Sequence, residues 1–126
     1  MKLSNNKIVN SASQLEGISK KQLPVKVSYA IAKNMRKLND LIKIYNDERQ
    51  KLITKYGMKD ENEELAVGKD GIVHIKEEYM HEWTKDNIEL FNIEVEVDIH
   101  TFSIDNFKGY DMAPSEMMAI EYMIKD

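Results

Sequence analysis

LPVKVSYAIAKNMRKLNDLIKIYNDERQKLITKY, residues 23–56, is the stretch that decides the fold. Apolar and aromatic residues recur in it at alternating spacings of four and three, the pattern of a long helix that packs along one seam. The seam positions are Ile31, Met35, Leu38, Ile42, Tyr45, Arg49, Leu52 and Tyr56. Pro24 suits a first helical turn, and Gly57 is expected to stop the helix in the left-handed conformation. The pattern predicts one helix over about residues 25–56, which begins either at Pro24 or only after Ser28.

Arg49 interrupts the seam, because a cation stands where an apolar residue is expected. Such a side chain must find a carboxylate, reach water or line a pocket. One interpretation is a buried ion pair with Asp47 or with an acid of the C-terminal half. The other is a nucleotide pocket, in which Arg49 binds phosphate and the aromatic rings of Tyr45, Tyr56 and Trp83 hold the base.

The first half of the same helix is basic. One interpretation is a solvated face with the ion pairs Arg36–Asp40 and Lys43–Asp47. The other is phosphate binding, since arginine offers a two-pronged donor and lysine a point charge. The candidate ligand-binding residues of the whole chain are therefore Arg49, Tyr45, Trp83, Arg36, Lys33, Lys26 and Tyr56.

The remaining chain predicts one more long helix and a small sheet. Residues 77–91 have an acidic first turn and one apolar face, which indicates a second helix. Residues 93–99 alternate between apolar and acidic side chains, which is typical of a strand. Residues 1–9 read as a hairpin that turns at Asn5-Asn6, followed by a short helix capped by Asn10 or Ser11.

Two short apolar runs on either side of residues 68–71 predict a second hairpin. Residues 113–124 predict a Met-rich C-terminal helix. The expected fold is therefore α+β and a single domain, residues 1–126. In it a long helical hairpin, residues 25–56 against 77–91, packs with a small antiparallel sheet and the short C-terminal helix.

Composition narrows the classes of function. The chain has 126 residues, no cysteine and no apolar run of membrane-spanning length, so we expect a soluble, intracellular protein without disulfides or a membrane partner. Residues 1–60 hold 13 Lys and Arg against 5 Asp and Glu, whereas residues 61–126 hold 5 against 17. The opposite charges of the halves can neutralise each other within one chain or between copies. The second helix is too short to cover the long seam, which favours a homo-oligomer.

No motif names a reaction. His81-Glu82 lacks the second histidine of a zinc-protease helix, because Lys85 stands in its place. The carboxylates of Glu94 and Glu96 share a strand face, where exposed charge is usual. Glycine-rich phosphate loops and nucleophile turns are missing from the sequence. We expect no catalytic residue, no metal and no cofactor, and the acidic pI of about 5.4 disfavours nucleic-acid binding.

Several stretches resemble one family of small phage and prophage proteins of Gram-positive bacteria, a family without an assigned function. They are MKLSNNKIVN, LPVKVSYAIAKN, ERQKLITKYGMKDENEEL, IEVEVDI and APSEMMAIEYMI. The resemblance runs essentially from end to end. It implies a protein that is made in the cytoplasm of an infected bacterium.

Two hypotheses of function follow from the residues and this resemblance. In the first, the chain is a counter-defence protein that sequesters a nucleotide immune signal, such as a cyclic ADP-ribose or a cyclic dinucleotide, without catalysis. In the second, it is a structural or assembly accessory of the phage, such as a tail or assembly chaperone, and acts through protein contacts on its seam and Met-rich helix.

Overall fold

The computed structural model of the chain describes residues 1–69, 71–107 and 109–125. They form two compact units. One unit is built from residues 1–42 and from residue 94 onward, and the other from residues 43–93. The long helix predicted by the seam is present with the expected bounds, and it contributes residues to both units. The α+β fold, with its long helix pair, small antiparallel sheet and C-terminal helix, is confirmed.

In chain order, the helices and strands begin with β1 (Lys2–Ser4), α1 (Asn5–Ser19) and α2 (Val25–Tyr56). A short 3-10 turn, Glu77–Tyr79, leads into α3 (Met80–Asn92). The remaining elements are β2 (Glu94–Glu96), β3 (Phe102–Ser103), a 3-10 turn (Ile104–Phe107), α4 (Pro114–Ile120), a 3-10 turn (Glu121–Met123) and β4 (Ile124–Lys125).

The first unit joins the two ends of the chain around one core. β1 pairs antiparallel with β2 so that Leu3 lies opposite Val95, and β3 pairs parallel with β4. The side chains of α1 that face inward recur three or four residues apart, as the helical period requires. The buried apolar residues are Leu3, Ile8, Leu15, Ile18, Val27, Ala30, Ile31, Leu38, Val97, Phe102, Phe107, Ala119, Ile120 and Met123.

The predicted N-terminal hairpin is wrong. Asn5 and Asn6 begin α1 instead of forming a turn, because the Ser4 hydroxyl accepts a hydrogen bond from the Lys7 backbone N–H (3.1 Å) and caps the helix. The helix therefore starts earlier than expected. Ser11 is not a cap but a buried residue whose hydroxyl hydrogen-bonds the Tyr122 hydroxyl.

In the second unit, the end of α2 packs antiparallel against α3. The ring of Tyr45 stacks on that of Phe91, with centroids 5.6 Å apart, and the ring of Tyr56 meets Trp83 edge-on at 6.4 Å. The expected hairpin around residues 68–71 is reduced to isolated antiparallel bridges, among them Val67 with Val73.

Gly57 ends α2 for a different reason from the one expected. Its φ angle is not positive. A Cβ at this position would lie 2.6 Å from the Ile53 carbonyl oxygen and 2.8 Å from the Val73 Cγ1 atom. The residue is buried, so glycine is required because the helix end and the following segment approach each other closely.

The seam is covered by the chain itself apart from Arg49. Ile31, Leu38, Tyr45 and Tyr56 are buried, and the other apolar seam residues are half-buried. Uncovered seam was the reason to expect a homo-oligomer. With that reason removed, the oligomer stays a prediction.

Candidate functional site

One exposed face of α2 carries a regular set of cationic and aromatic side chains. Lys26, Tyr29, Lys33 and Arg36 follow one another at spacings of three, four and three, which places them on one helical face. The opposite face is buried and includes Val27. The packing of α2 thus presents these four side chains outward.

Two cavities open along this face and share Tyr29. One has a volume of about 500 Å³ and is lined by Val25, Lys26 and Tyr29 together with residues from the segment 100–106. The other, of about 230 Å³, is lined by Tyr29, Ala32, Lys33 and Arg36. We call this pair of cavities the Tyr29 groove.

The wall opposite α2 comes from residues 100–106. The residues of this wall are His100, Thr101, Phe102, Ser103 and Asn106. Its shape is fixed locally, since the Ser103 backbone N–H donates to the Asn106 side-chain oxygen (3.1 Å) and the Asp105 N–H donates to the Ser103 hydroxyl (3.2 Å). Phe102 anchors the wall, because its buried ring packs on that of Phe107 at 5.5 Å.

His100 is held in place by Asn34, a fully buried residue of α2. The Asn34 side-chain amide donates to the His100 carbonyl (2.9 Å), and its oxygen accepts from the His100 N–H (2.8 Å). With the backbone fixed in this way, the His100 ring lies edge-on to the Tyr29 ring, with centroids 5.5 Å apart. The groove therefore has an aromatic corner whose geometry depends on one buried amide.

The cations of the groove have no acidic partner among the residues that the structure describes. The ion pairs found there join Met1 to Glu96, Lys21 to Glu116, Lys37 to Asp98 and Lys51 to Glu48. The basic face is exposed to solvent, as one interpretation expects, but the ion pairs Arg36–Asp40 and Lys43–Asp47 are not among those found. The ammonium of Lys33 instead lies 5.9 Å from the centre of the Tyr29 ring.

The seven predicted site residues do not form one site. Lys26, Lys33 and Arg36 line the Tyr29 groove. Arg49 and Trp83 line a different cavity, within the second unit.

Tyr45 and Tyr56 are buried between helices α2 and α3. The Tyr56 hydroxyl donates to the Asp86 carboxylate (2.6 Å), and this hydrogen bond is the main cause of the raised pKa of Tyr56. Both rings thus contribute to helix packing.

Arg49 is exposed. It makes no ion pair with any described residue, so the interpretation of a buried pair is wrong. The side chain is exposed to water and also lines a cavity, which are two of the three outcomes open to a seam cation.

Sequence reasoning missed Tyr29, His100 and Asn34. A signal for Tyr29 was available, because an aromatic residue stands between cations at helical spacing. No local signal marks the other two, since their contact joins residues 66 positions apart.

The groove offers binding chemistry: aromatic faces, hydrogen-bonding groups and unpaired cations. Within the described residues, no group of three or more His, Asp or Glu side chains is arranged to hold a metal ion. Nor does any helix of those residues combine the length and apolar character needed to cross a bilayer.

Comparison with other proteins adds no identity. No protein-family model, curated protein or solved structure matches the chain. The function is therefore argued from the groove.

Proposed function

We propose that this protein binds and sequesters a nucleotide-type signal in the Tyr29 groove without converting it chemically. The observation that carries the proposal is the presence, in one groove, of aromatic surface and of cations without acidic partners. Acidic residues outnumber basic ones in this chain, whose net charge is -4, yet none of those described pairs with these cations. The cations are therefore available to an anionic ligand.

The size of the groove favours a small ligand over a polymer. Small-molecule sites have volumes of about 300–1,000 Å³. The larger cavity, at about 500 Å³, lies within that range, and the smaller one extends it toward Lys33 and Arg36. A nucleotide fits such a volume, whereas duplex nucleic acid needs an extended basic surface.

The groove has an aromatic part and a cationic part, which correspond to the base and the phosphate of a nucleotide. Base stacking on aromatic side chains contributes about 1–3 kcal/mol per base, and Tyr29 with His100 offers such a surface. Arg36 and Lys33 lie beyond Tyr29, in the adjoining cavity, where they suit phosphate. We expect the base in the larger cavity and phosphate in the smaller one.

The resemblance to phage proteins supplies the biological context of this proposal. A phage protein that binds a cyclic ADP-ribose-like signal or a cyclic dinucleotide in the host bacterial cytoplasm would act against host defence by sequestration. We expect it to act as a homo-oligomer, which light scattering of the purified protein tests directly.

The alternative is a phage structural or assembly accessory that uses an apolar surface. Of the methionines in the last helical segment, Met118 is 68% exposed, Met117 is half-buried and Met123 is fully buried. Met123 thus belongs to the core and Met117 packs against it, which leaves Met118 as the exposed methionine of the three. The accessory function comes second for this reason.

The test is a panel of cyclic dinucleotides, cyclic ADP-ribose and mononucleotides, followed by thermal unfolding and by depletion of the ligand from solution. At a hundredfold excess over Kd, binding adds about 2.7 kcal/mol, which raises Tm on the order of 10 °C for a chain of this size. Intact ligand should be released when the protein is denatured. Recovery of every ligand from solution with no shift in Tm would refute sequestration, and release of a cleaved product would show catalysis.

Two matched arginine variants locate the site. Arg36→Gln should weaken binding roughly tenfold to a hundredfold, since hydrogen bonds between charged groups contribute about 1.5–3 kcal/mol. Arg49→Gln removes the same charge from the same helix outside the groove and should leave nucleotide binding unchanged. Equal losses in both variants would contradict a site in the Tyr29 groove.

A further inference from the structure

A cavity outside the Tyr29 groove, with a volume of about 260 Å³, lies within the unit formed by residues 43–93. We call it the Arg49 pocket. Most of its wall is made of branched aliphatic side chains. They are Ile53, Ile72, Val73 and Ile75.

The polar side chains of this pocket are Arg49, Gln50 and Trp83. None of the three has a side-chain hydrogen bond or an ion pair with any residue that the structure describes. Arg49 is exposed and has no carboxylate partner among the described residues, so its guanidinium is available to an anion. The pocket thus combines an apolar wall with unused N–H donors.

Backbone and ring contacts position two parts of the pocket wall. Ile75 forms an isolated antiparallel bridge with Gly57, and the absence of a side chain there lets Val73 reach the end of α2. Trp83 is held edge-on against the buried ring of Tyr56. A wall positioned by such contacts needs little rearrangement when a ligand binds.

The charge and the volume of the pocket select its ligand. Arg49 is the only charged residue among the described residues that line it, and one guanidinium fork matches one carboxylate. A phosphate would bring a second negative charge next to aliphatic side chains that cannot compensate it. At about 30 Å³ for each water-sized unit of a liquid, the cavity holds about eight or nine heavy atoms.

We propose that the Arg49 pocket is a binding site for a small apolar monocarboxylate. The carboxylate accepts both prongs of the Arg49 guanidinium, and the hydrocarbon tail lies on the aliphatic wall beside Trp83. This site is separate from the Tyr29 groove and does not depend on the function proposed for it.

The chain has one tryptophan, Trp83, and it lines this pocket, so its emission can follow ligand binding there. Hexanoate, with its eight heavy atoms by formula, is the probe that approximately fills the cavity. Hexanoate should cause a saturable change in Trp83 emission under selective excitation of tryptophan. Hexanamide, which has the same shape without the charge, should bind at least about tenfold more weakly, and inorganic phosphate should cause no change.

The same two arginine variants exchange their roles: Arg49→Gln now tests the site, and Arg36→Gln is the control. Arg49→Gln should weaken hexanoate binding about tenfold or more, with the helical circular dichroism unchanged because the side chain is exposed. Arg36→Gln should bind hexanoate like the wild type. A flat titration, equal affinities for hexanoate and hexanamide, or an Arg49→Gln variant with full affinity would overturn the proposal. A nucleotide that binds while hexanoate does not would overturn this site and leave the Tyr29 groove intact.

Discussion

Asn34 is the residue at which stability and the candidate site should respond to one substitution. Its side chain is fully buried and forms two hydrogen bonds with the backbone of His100, one as donor and one as acceptor. Asn34→Leu keeps the number and branching of the side-chain heavy atoms and removes both bonds. The N–H and C=O groups of His100 then lose their partners inside the protein.

The expected cost follows from those two bonds. Each contributes about 1 kcal/mol, and a buried polar group that loses its partner costs about 1–3 kcal/mol. Since His100 is only half-buried, water can reach part of its backbone, and we expect a loss of about 3 kcal/mol. That is a large part of the roughly 5–15 kcal/mol by which folded domains are stable.

Asn34→Asp is the diagnostic variant. At neutral pH its carboxylate still accepts from the His100 N–H, but it faces the His100 carbonyl oxygen with no proton to donate. Acidification supplies that proton. The stability deficit of Asn34→Asp should therefore shrink as the pH falls, whereas the deficit of Asn34→Leu should not.

Urea unfolding measured by circular dichroism gives the loss of free energy. Trp83 fluorescence gives a second curve from the other compact unit. If residues 1–126 unfold as one domain, as the sequence predicts, both probes shift together. A cost below about 1 kcal/mol for Asn34→Leu would refute the role of these bonds. In either Asn34 variant, a displaced His100 ring should also weaken nucleotide binding in the Tyr29 groove.

Four further substitutions test packing, a hydrogen bond and an ion pair. Gly57→Ala should destabilise the protein by about 1–3 kcal/mol in urea unfolding, because the new Cβ meets a backbone oxygen at 2.6 Å. Gly17→Ala is the control: a Cβ there meets nothing within 4 Å, so it should stabilise the protein by about 0.5–1 kcal/mol. The reverse order of the two stabilities would contradict the close approach at Gly57. Tyr56→Phe should cost about 1 kcal/mol by the same assay, since one hydrogen bond to α3 is lost, and an unchanged midpoint would show that bond to be dispensable. Hydrogen bonds from the Lys21 ammonium, the larger cause, and from the Ala113 N–H lower the pKa of Glu116 below its ordinary 4.5. The ionised Glu116 carboxylate therefore stabilises the fold above pH 4.5, and this stabilisation is lost as the pH falls through the lowered pKa. Wild type should therefore exceed Glu116→Gln in stability at neutral pH and converge with it in acid.

The sequence was sufficient to predict helix α2, because the pattern that indicates this helix lies within the helix itself. The seam repeats over eight positions, and seven of them are buried or half-buried as the helical period requires. The predicted hairpin at residues 1–9 failed because β1 pairs with β2, about ninety residues away. In the structure the Ser4 hydroxyl caps a helix from residue 5 that buries Ile8, Leu15 and Ile18, whereas the prediction places a turn at Asn5-Asn6.

Gly57 shows a second kind of limit. A glycine after a helix is usually explained by the left-handed conformation, and that explanation needs only the helix end. Here the reason is the approach of Val73 and Leu65, which lie 16 and 8 residues further along the chain. Only the tertiary structure reveals that a side chain at this position has no room.

The division of the predicted site residues between two cavities was, in contrast, readable from the helix period. Residues in an α-helix are rotated by about 100° each, so the seven residues from Tyr29 to Arg36 return to within about 20° of the same face. The thirteen residues from Arg36 to Arg49 leave those side chains about 140° apart around the helix axis. The walls differ accordingly: residues 100–106 face the first set, and residues 72–75 with Trp83 face Arg49. Two arginines on one basic helix therefore cannot be assumed to bind one ligand, and the paired Arg36→Gln and Arg49→Gln variants separate their roles.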